Sequence, residues 1–267
     1  MAGMSLLTTL INYFLTTTTY VLSDAEKHKT KNLRLRHLIY KTIISQGINT
    51  VFLYYILNLI QPTNPLGSLG LVIKVIYLVV ISGVVNVLWS LFMPTQLLFD
   101  CLKRRKYGPD KFNNAFQFQL NNALQYPEFD FAAAYSFFII YTYVVSFYSL
   151  LTPVAAPILI IVFVLQYWID KYNLFRRSSF PNDLGASLNR MIFKLFEISI
   201  LMSAAGHFVW DSEVHFGISN GFRIINIINL ALAVIYVSIT FFAPYSVTRK
   251  IFLDEIDFEH HQYRYFL

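Results

Sequence analysis

Between Tyr135 and Phe175 the chain reads YSFFIIYTYVVSFYSLLTPVAAPILIIVFVLQYWIDKYNLF, a nearly unbroken apolar run interrupted by Pro153 and Pro157. As a single helix, residues 131–169 would extend about 58 Å at 1.5 Å per residue, against a hydrocarbon core of about 30 Å. The run therefore holds two membrane-spanning helices that reverse at a turn containing Pro153 and Pro157. Proline suits the first turn of a helix, where its missing N–H is no loss.

The same reasoning extends to the whole chain. Hydrophobic residues make up 56% of the 267 residues and charged ones 13%, with a mean hydropathy of +0.50. Soluble domains carry about 25% charge. Seven apolar segments are readable, at 4–22, 38–60, 71–99, 131–152, 154–169, 189–210 and 224–245. The fold class is all-α, a polytopic membrane helix bundle of about seven transmembrane helices. Residues 1–252 form the bundle, and 253–267 a C-terminal tail on the inner side. The start, MAGMSLLTTLINYFL, has no basic stretch ahead of its apolar residues, so no cleavable leader is expected. The single Cys101 excludes an internal disulfide framework and a multi-cysteine metal site.

Charge placement fixes the orientation. Lys and Arg concentrate in loops on the cytoplasmic side of a membrane, or the matrix side of a mitochondrial one. Lys27, Lys29, Lys31, Arg34 and Arg36 follow the first segment; Lys103, Arg104, Arg105, Lys106 and Lys111 follow the third; Lys171, Arg176, Arg177 and Arg190 follow the fifth. The intervening loops are neutral or acidic. Seven spans satisfy this alternation, with the N-terminus outside and the C-terminus inside.

Local signals fill in the loops. SDAEK at 23–27 has the capping-box pattern, with Ser23 as cap and Glu26 reaching back. NPLG at 64–67 reads as a turn. Residues 106–129 are expected to contain an interfacial helix that lays Phe112, Phe116 and Phe118 on the membrane. Tyr167, Trp168 and Trp210 stand at span ends as interfacial anchors.

Several of these stretches together resemble a known family. They are the hairpin and the YPEF that precedes it, its exit residues Tyr167, Lys171 and Tyr172, SDAEKHKTKNLRLRHLIYK at 23–41, and APYSVTRKIF at 243–252. They are similar to the 7TM region of the OSCA-type hyperosmolality-gated calcium-permeable channels, relatives of anoctamin channels and scramblases. The resemblance implies an OSCA/anoctamin-like bundle whose early and central spans surround an ion path. Family members are longer, with further spans and a large cytosolic domain. They also place a Gly hinge in the pore helix, where 131–152 has no Gly.

Polar residues inside the spans are the candidate site. Gln46, Asn49, Asn86 and Glu197 are candidates for pore lining or for interhelical hydrogen bonds, as are Asn226 and Asn229. Lys194 and Glu197, three residues apart, are expected to pair. Lys41 and Lys74 are expected to snorkel to their nearer interfaces. His207 is expected to bond Asp211 four residues on. Lys103, Arg104, Arg105, Lys106, Arg176 and Arg177 are candidate contacts for anionic lipid such as cardiolipin. Nucleophile-elbow, zinc-protease, P-loop and dinucleotide motifs do not occur, so no enzyme activity, cofactor or metal is expected. The inward basic loops account for the net charge of +6 without nucleic acid.

Two functions fit. The first is a non-catalytic multi-pass subunit, a degenerate OSCA-like bundle serving as an accessory component among other membrane-protein subunits, with a mitochondrial inner-membrane respiratory assembly as the guess. It rests on the missing hinge and on the absence of any acidic residue between Phe131 and Ile169. The alternative is a mechanosensitive or osmosensitive calcium-permeable cation channel or lipid scramblase.

Overall fold

The computed structural model describes residues 2–60, 70–94, 98, 101, 117–118, 126–179, 186–214 and 220–242. Lys103–Lys106, the 64–67 turn, Phe112, Phe116, His260, His261 and the tail 253–267 lie outside them. Among the described residues the chain forms seven helical rods. These are α1 (Ala2–Ala25), a second rod made of α2 (Lys31–Gly47), a π-helical turn (Ile48–Phe52) and α3 (Leu53–Ile60), then α4 (Leu71–Phe92), α5 (Phe131–Phe147), α6 (Ala155–Arg176), α7 (Ala186–Val214) and α8 (Asn220–Phe242).

Among the described residues, four helices have the length and apolarity to cross a membrane individually: Leu71–Phe92, Ala155–Arg176, Leu188–Asp211 and Arg223–Phe242. The others fall short for readable reasons. α1 is diluted by Ser, Thr and Asn, the second rod is interrupted by its π-turn, and α5 has only 17 residues.

α5 holds the centre. It is apolar on every side, as a helix enclosed by other helices must be. It packs against α7, the second rod and α6. Helices α1, α4, α6, α5 and the second rod close a ring by neighbour contacts, with α7 laid on α5 and α8 on α7. α8 is the outermost, exposing Ile224, Ile228, Ile235, Ile239 and Phe242.

The hairpin reverses where the sequence places its turn. α5 stops at Phe147, residues 148–154 turn, and Pro157 sits in the first turn of α6. Two other expectations need correction. The third span ends at Phe92 rather than 99, because Met93 takes a left-handed conformation (φ 43°), bonds back to Trp89 O at 2.8 Å, and precedes Pro94. Ser23 is not a cap: α1 runs past it to Ala25, Lys27 breaks the chain at φ 47°, and Thr30 caps α2 by accepting from Leu33 N at 3.2 Å. Of the expected interfacial helix within 106–129, Gln117 and Phe118 are helical with Phe118 exposed, Phe112 and Phe116 lie outside the described residues, and residues 126–130 are not helical.

Trp210 is also not an interfacial anchor. It is fully buried, packed against Tyr55 (5.4 Å), Tyr148 (5.5 Å) and Phe147 (6.0 Å). α7 continues beyond it to Val214, so it lies within the helix rather than at its end. Tyr167 and Trp168 are exposed, as anchors should be.

Candidate functional site

Two polar seams run between the helices. The first is built on α1, whose Ser5, Thr8, Asn12, Thr19 and Ser23 are buried while Leu6, Leu10, Phe14 and Val21 are exposed. Their spacing of three, four and seven residues puts the polar set on one face. In the second rod, Gln46, Asn49 and Thr50 share a face by the same rule. They bracket Asn12: its Nδ2 donates to Thr50 Oγ1 (2.8 Å), Asn49 Nδ2 donates to its Oδ1 (2.8 Å), and Gln46 Nε2 donates to its carbonyl (2.9 Å) and to Thr16. Thr19 meets Thr42 at 3.3 Å, and Thr9 meets Ser82 of α4 at 3.0 Å. The π-turn spans this polar stretch, and Tyr148 of the hairpin turn donates to its Val51 carbonyl at 2.7 Å. Single π-turns inside α-helices recur at functional sites.

The second seam lies between α4 and α6, in their inner halves. Asn86 donates to Gln166 Oε1 (3.1 Å), and Gln166 Nε2 donates to Ser90 (3.0 Å) and to Asp170 Oδ1 (2.7 Å). One turn further in, Asn173 donates to Ser90 O at 2.7 Å. Asn173 is 1% exposed, and its Oδ1 has no hydrogen-bond partner among the described residues. Asp170, Gln166, Asn86 and Asn173 line a cavity of about 220 Å³, which Glu128 and Asp130 also face.

The two seams meet an inner strap, residues 126–130. Ser179, just past α6, fastens it: Phe129 N bonds Ser179 O (3.1 Å), and Ser179 N bonds Pro127 O (2.9 Å). Asp130 caps α5 by accepting from Ala133 N at 3.0 Å and also accepts from Tyr20 of α1. Glu128 pairs with Lys31 at 2.7 Å. A second cavity of about 500 Å³ opens on the strap's other side, lined by Tyr20, Lys31, Arg34, Glu128 and Asp130. Above it, Glu26 takes a hydrogen bond from Lys41, which holds its carboxyl below the usual range. The strap thus joins the start of α5, the end of α6 and the α1–α2 turn at one membrane face, the face the basic loops assign as inner.

Comparison with known proteins adds the family. A family model described as "Calcium-dependent channel, 7TM region" matches residues 75–205, just under half of the chain. Residues 75–205 are thus similar to a 7TM channel region, a partial match. A search of curated proteins returned no match. The matched stretch runs from α4 into α7 and contains the hairpin, the strap and the whole α4–α6 seam. The α1 seam lies largely outside it and touches it through Ser82 and, at the π-turn, through Tyr148.

Relative to this channel region, the anticipated residues separate into groups. Gln46 and Asn49 lie in the α1 seam and Asn86 in the α4–α6 seam, each hydrogen-bonded across helices. Glu197 belongs to neither. The expected Lys194–Glu197 pair is not formed: Lys194 reaches α8, donating to Phe241 O at 3.3 Å, while Glu197 Oε2 is buried without a hydrogen-bond partner. Asn226 donates to Asp211 at 2.9 Å, tying α8 to α7. Arg177 donates to Leu91 O at 2.6 Å, where the last carbonyls of α4 are negative, and stacks on Tyr172. Arg176 is exposed.

The sequence reading passed over Asp170, Gln166 and Asn173. Their signal was the i, i+4 and i, i+7 spacing of polar residues across the end of an apolar segment.

Proposed function

We propose that the chain is a cation-conducting membrane protein whose inner mouth is the α4–α6 cavity. One observation supports this above the others: the Asp170 carboxylate lies within a membrane-length helix and faces a cavity that also presents Glu128, Asp130 and the unpartnered Asn173 Oδ1. An acidic group at the inner end of a spanning helix, facing a cavity between helices, is a candidate for the mouth of an ion path. Oxygen atoms of carboxylates and amides are the groups that replace a cation's water. The cavity also lies inside the matched channel region. The accessory-subunit reading leaned on the lack of an acid between Phe131 and Ile169, and Asp170 follows one residue later. A channel-family region also favours transport over enzymatic turnover.

The test is reconstitution into liposomes under an osmotic or stretch stimulus, reading cation against anion flux. Cation-selective flux is expected, and Asp170→Asn, which keeps an acceptor for Gln166, should lower both the flux and its selectivity. Absence of flux, or selectivity unchanged in Asp170→Asn, would overturn the proposal. Lipid transfer without ion flux would instead identify a scramblase.

A further inference from the structure

A third concavity lies on the lipid-facing side of α5 and α6, next to the α4–α6 cavity and separate from the flux argument. It is a groove of about 400 Å³ walled by Phe131, Ala134, Tyr135, Phe138, Leu174 and Phe175. That size is within the usual range of about 300–1,000 Å³ for sites that hold small molecules. Its walls are mostly apolar, and its polar groups, Tyr167, Asp170 and Lys171, lie along α6, with Leu174 and Phe175 on the inner side of them and Phe138, which meets Phe163 at 4.7 Å, deeper in the span.

Lys171 dominates these polar groups. Its ammonium stands 5.3 Å from the Trp168 ring centre and 5.9 Å from that of Tyr167, so two aromatic faces hold it in place. It forms no ion pair among the described residues. Asp170 beside it is engaged elsewhere, accepting from Gln166, whose other bonds reach α4. The groove sits at the α5 start and the α6 end, the level at which the basic loops place the inner interface. An apolar trough with one positioned cation at the headgroup level has the layout of an amphiphile with an anionic head.

We infer that this groove binds an anionic phospholipid of the inner leaflet, its phosphate at Lys171, one acyl chain running toward the bilayer centre along Ala134, Tyr135 and Phe138, and Phe131, Leu174 and Phe175 flanking the headgroup end. Lipid is favoured over a peptide because the adjoining face of α6 (Ile160, Ile161, Val164, Trp168) is exposed and apolar along the membrane-length helix. The inference does not depend on whether the chain conducts ions.

Native mass spectrometry of the full chain, released from nanodiscs of equal phosphatidylglycerol and phosphatidylcholine, tests it. Retention of phosphatidylglycerol should exceed that of phosphatidylcholine by about fivefold, the ratio given by ~1 kcal/mol for one basic side chain at an anionic surface. Lys171→Gln, an exposed change, should equalise the two lipids. Phe138→Trp, which fills the groove, should lower retention of both. Arg223→Gln, at the opposite membrane face, should match the unmodified chain. Circular dichroism checks that each variant is folded. Equal retention by the unmodified chain, or a phosphatidylglycerol preference that survives both Lys171→Gln and Phe138→Trp, would overturn the inference.

Discussion

Replacing Gly206 with Ala tests the packing on which the bundle depends. At this point α7 crosses α5 so closely that an added Cβ would lie 2.0 Å from the Phe147 carbonyl oxygen and 2.7 Å from its carbon. Ordinary contact begins near 3.4 Å, so the two helices must separate locally by about 1.4 Å. The atom met is backbone, and no rotamer change can move it. The separation would also disturb the cluster of Phe147, Tyr148 and Trp210 beside it. Overpacking costs up to about 3 kcal/mol, and Ala returns about 1 kcal/mol of helix propensity over Gly, leaving a net loss of about 2 kcal/mol. Gly83→Ala is the internal control. There the added Cβ meets Val162 methyls at 2.8 and 2.9 Å, side-chain atoms that can give way. Its cost should stay under about 1 kcal/mol after the same propensity gain. Titration of the detergent-solubilised chain with dodecyl sulfate, followed by far-ultraviolet dichroism, measures both. An unchanged midpoint for Gly206→Ala, or a larger shift for Gly83→Ala, would refute the geometry.

Three further outcomes are expected. Tyr148→Phe removes the donor to the buried Val51 carbonyl in the π-turn and should cost about 1–3 kcal/mol in the same titration. Asn12→Leu deletes two interhelical hydrogen bonds of the α1 seam, and at about 0.6 kcal/mol each it should lower stability by about 1 kcal/mol. The Glu26–Lys41 link should depend on pH. Lys41 lowers the folded pKa of Glu26, so its contribution is present above the unfolded value of 4.5 and lost as pH falls through the lower folded one. A nitroxide at position 29 should gain mobility below about pH 4. In Glu26→Gln that mobility should be raised at every pH.

Length and charge made the bundle legible. The Pro153–Pro157 reversal, the seven rods and their alternation follow from how much apolar sequence a bilayer accommodates and which loops are basic. Helix ends were harder to read. At 23–30 two capping patterns compete, Ser23 with Glu26 and Thr30 alone, and the backbone break at Lys27 decides for Thr30. Trp210 read as a membrane anchor because it closes an apolar segment, yet it packs in the aromatic core and α7 continues past it to Val214. The Lys194–Glu197 pair failed for a rotational reason. Residues three apart can meet on a helix, but Lys194 finds a carbonyl on α8, and nothing local in the sequence signals that α8 packs there. Asp170 was hidden by segmentation: an apolar window that closes at Ile169 excludes it, although α6 continues to Arg176.

The two seams draw on similar residues, and each leaves a buried polar atom without a hydrogen-bond partner among the described residues, Ser23 Oγ in the first and Asn173 Oδ1 in the second. Along α1, each polar side chain of the Asn12 group finds a partner in the next helix, with distances of 2.8–3.3 Å where hydroxyls and amides meet. Lipid cannot hydrogen-bond these groups, so the pairing holds α1 to the bundle while Leu10 and Phe14 face outward. Such a seam is expected of a helix that lacks the apolarity to be held by lipid alone. The α4–α6 seam adds an acidic group to that pattern. It keeps a carboxylate at Asp170 that forms no ion pair among the described residues, and an Asn173 oxygen that is buried and without a hydrogen-bond partner among them. Association of α4 with α6 does not require either group, because Val162 already packs on Gly83 at the same interface. The unpartnered Asn173 oxygen, at a cavity that Asp170, Glu128 and Asp130 also line, is the feature on which the proposed cation path rests.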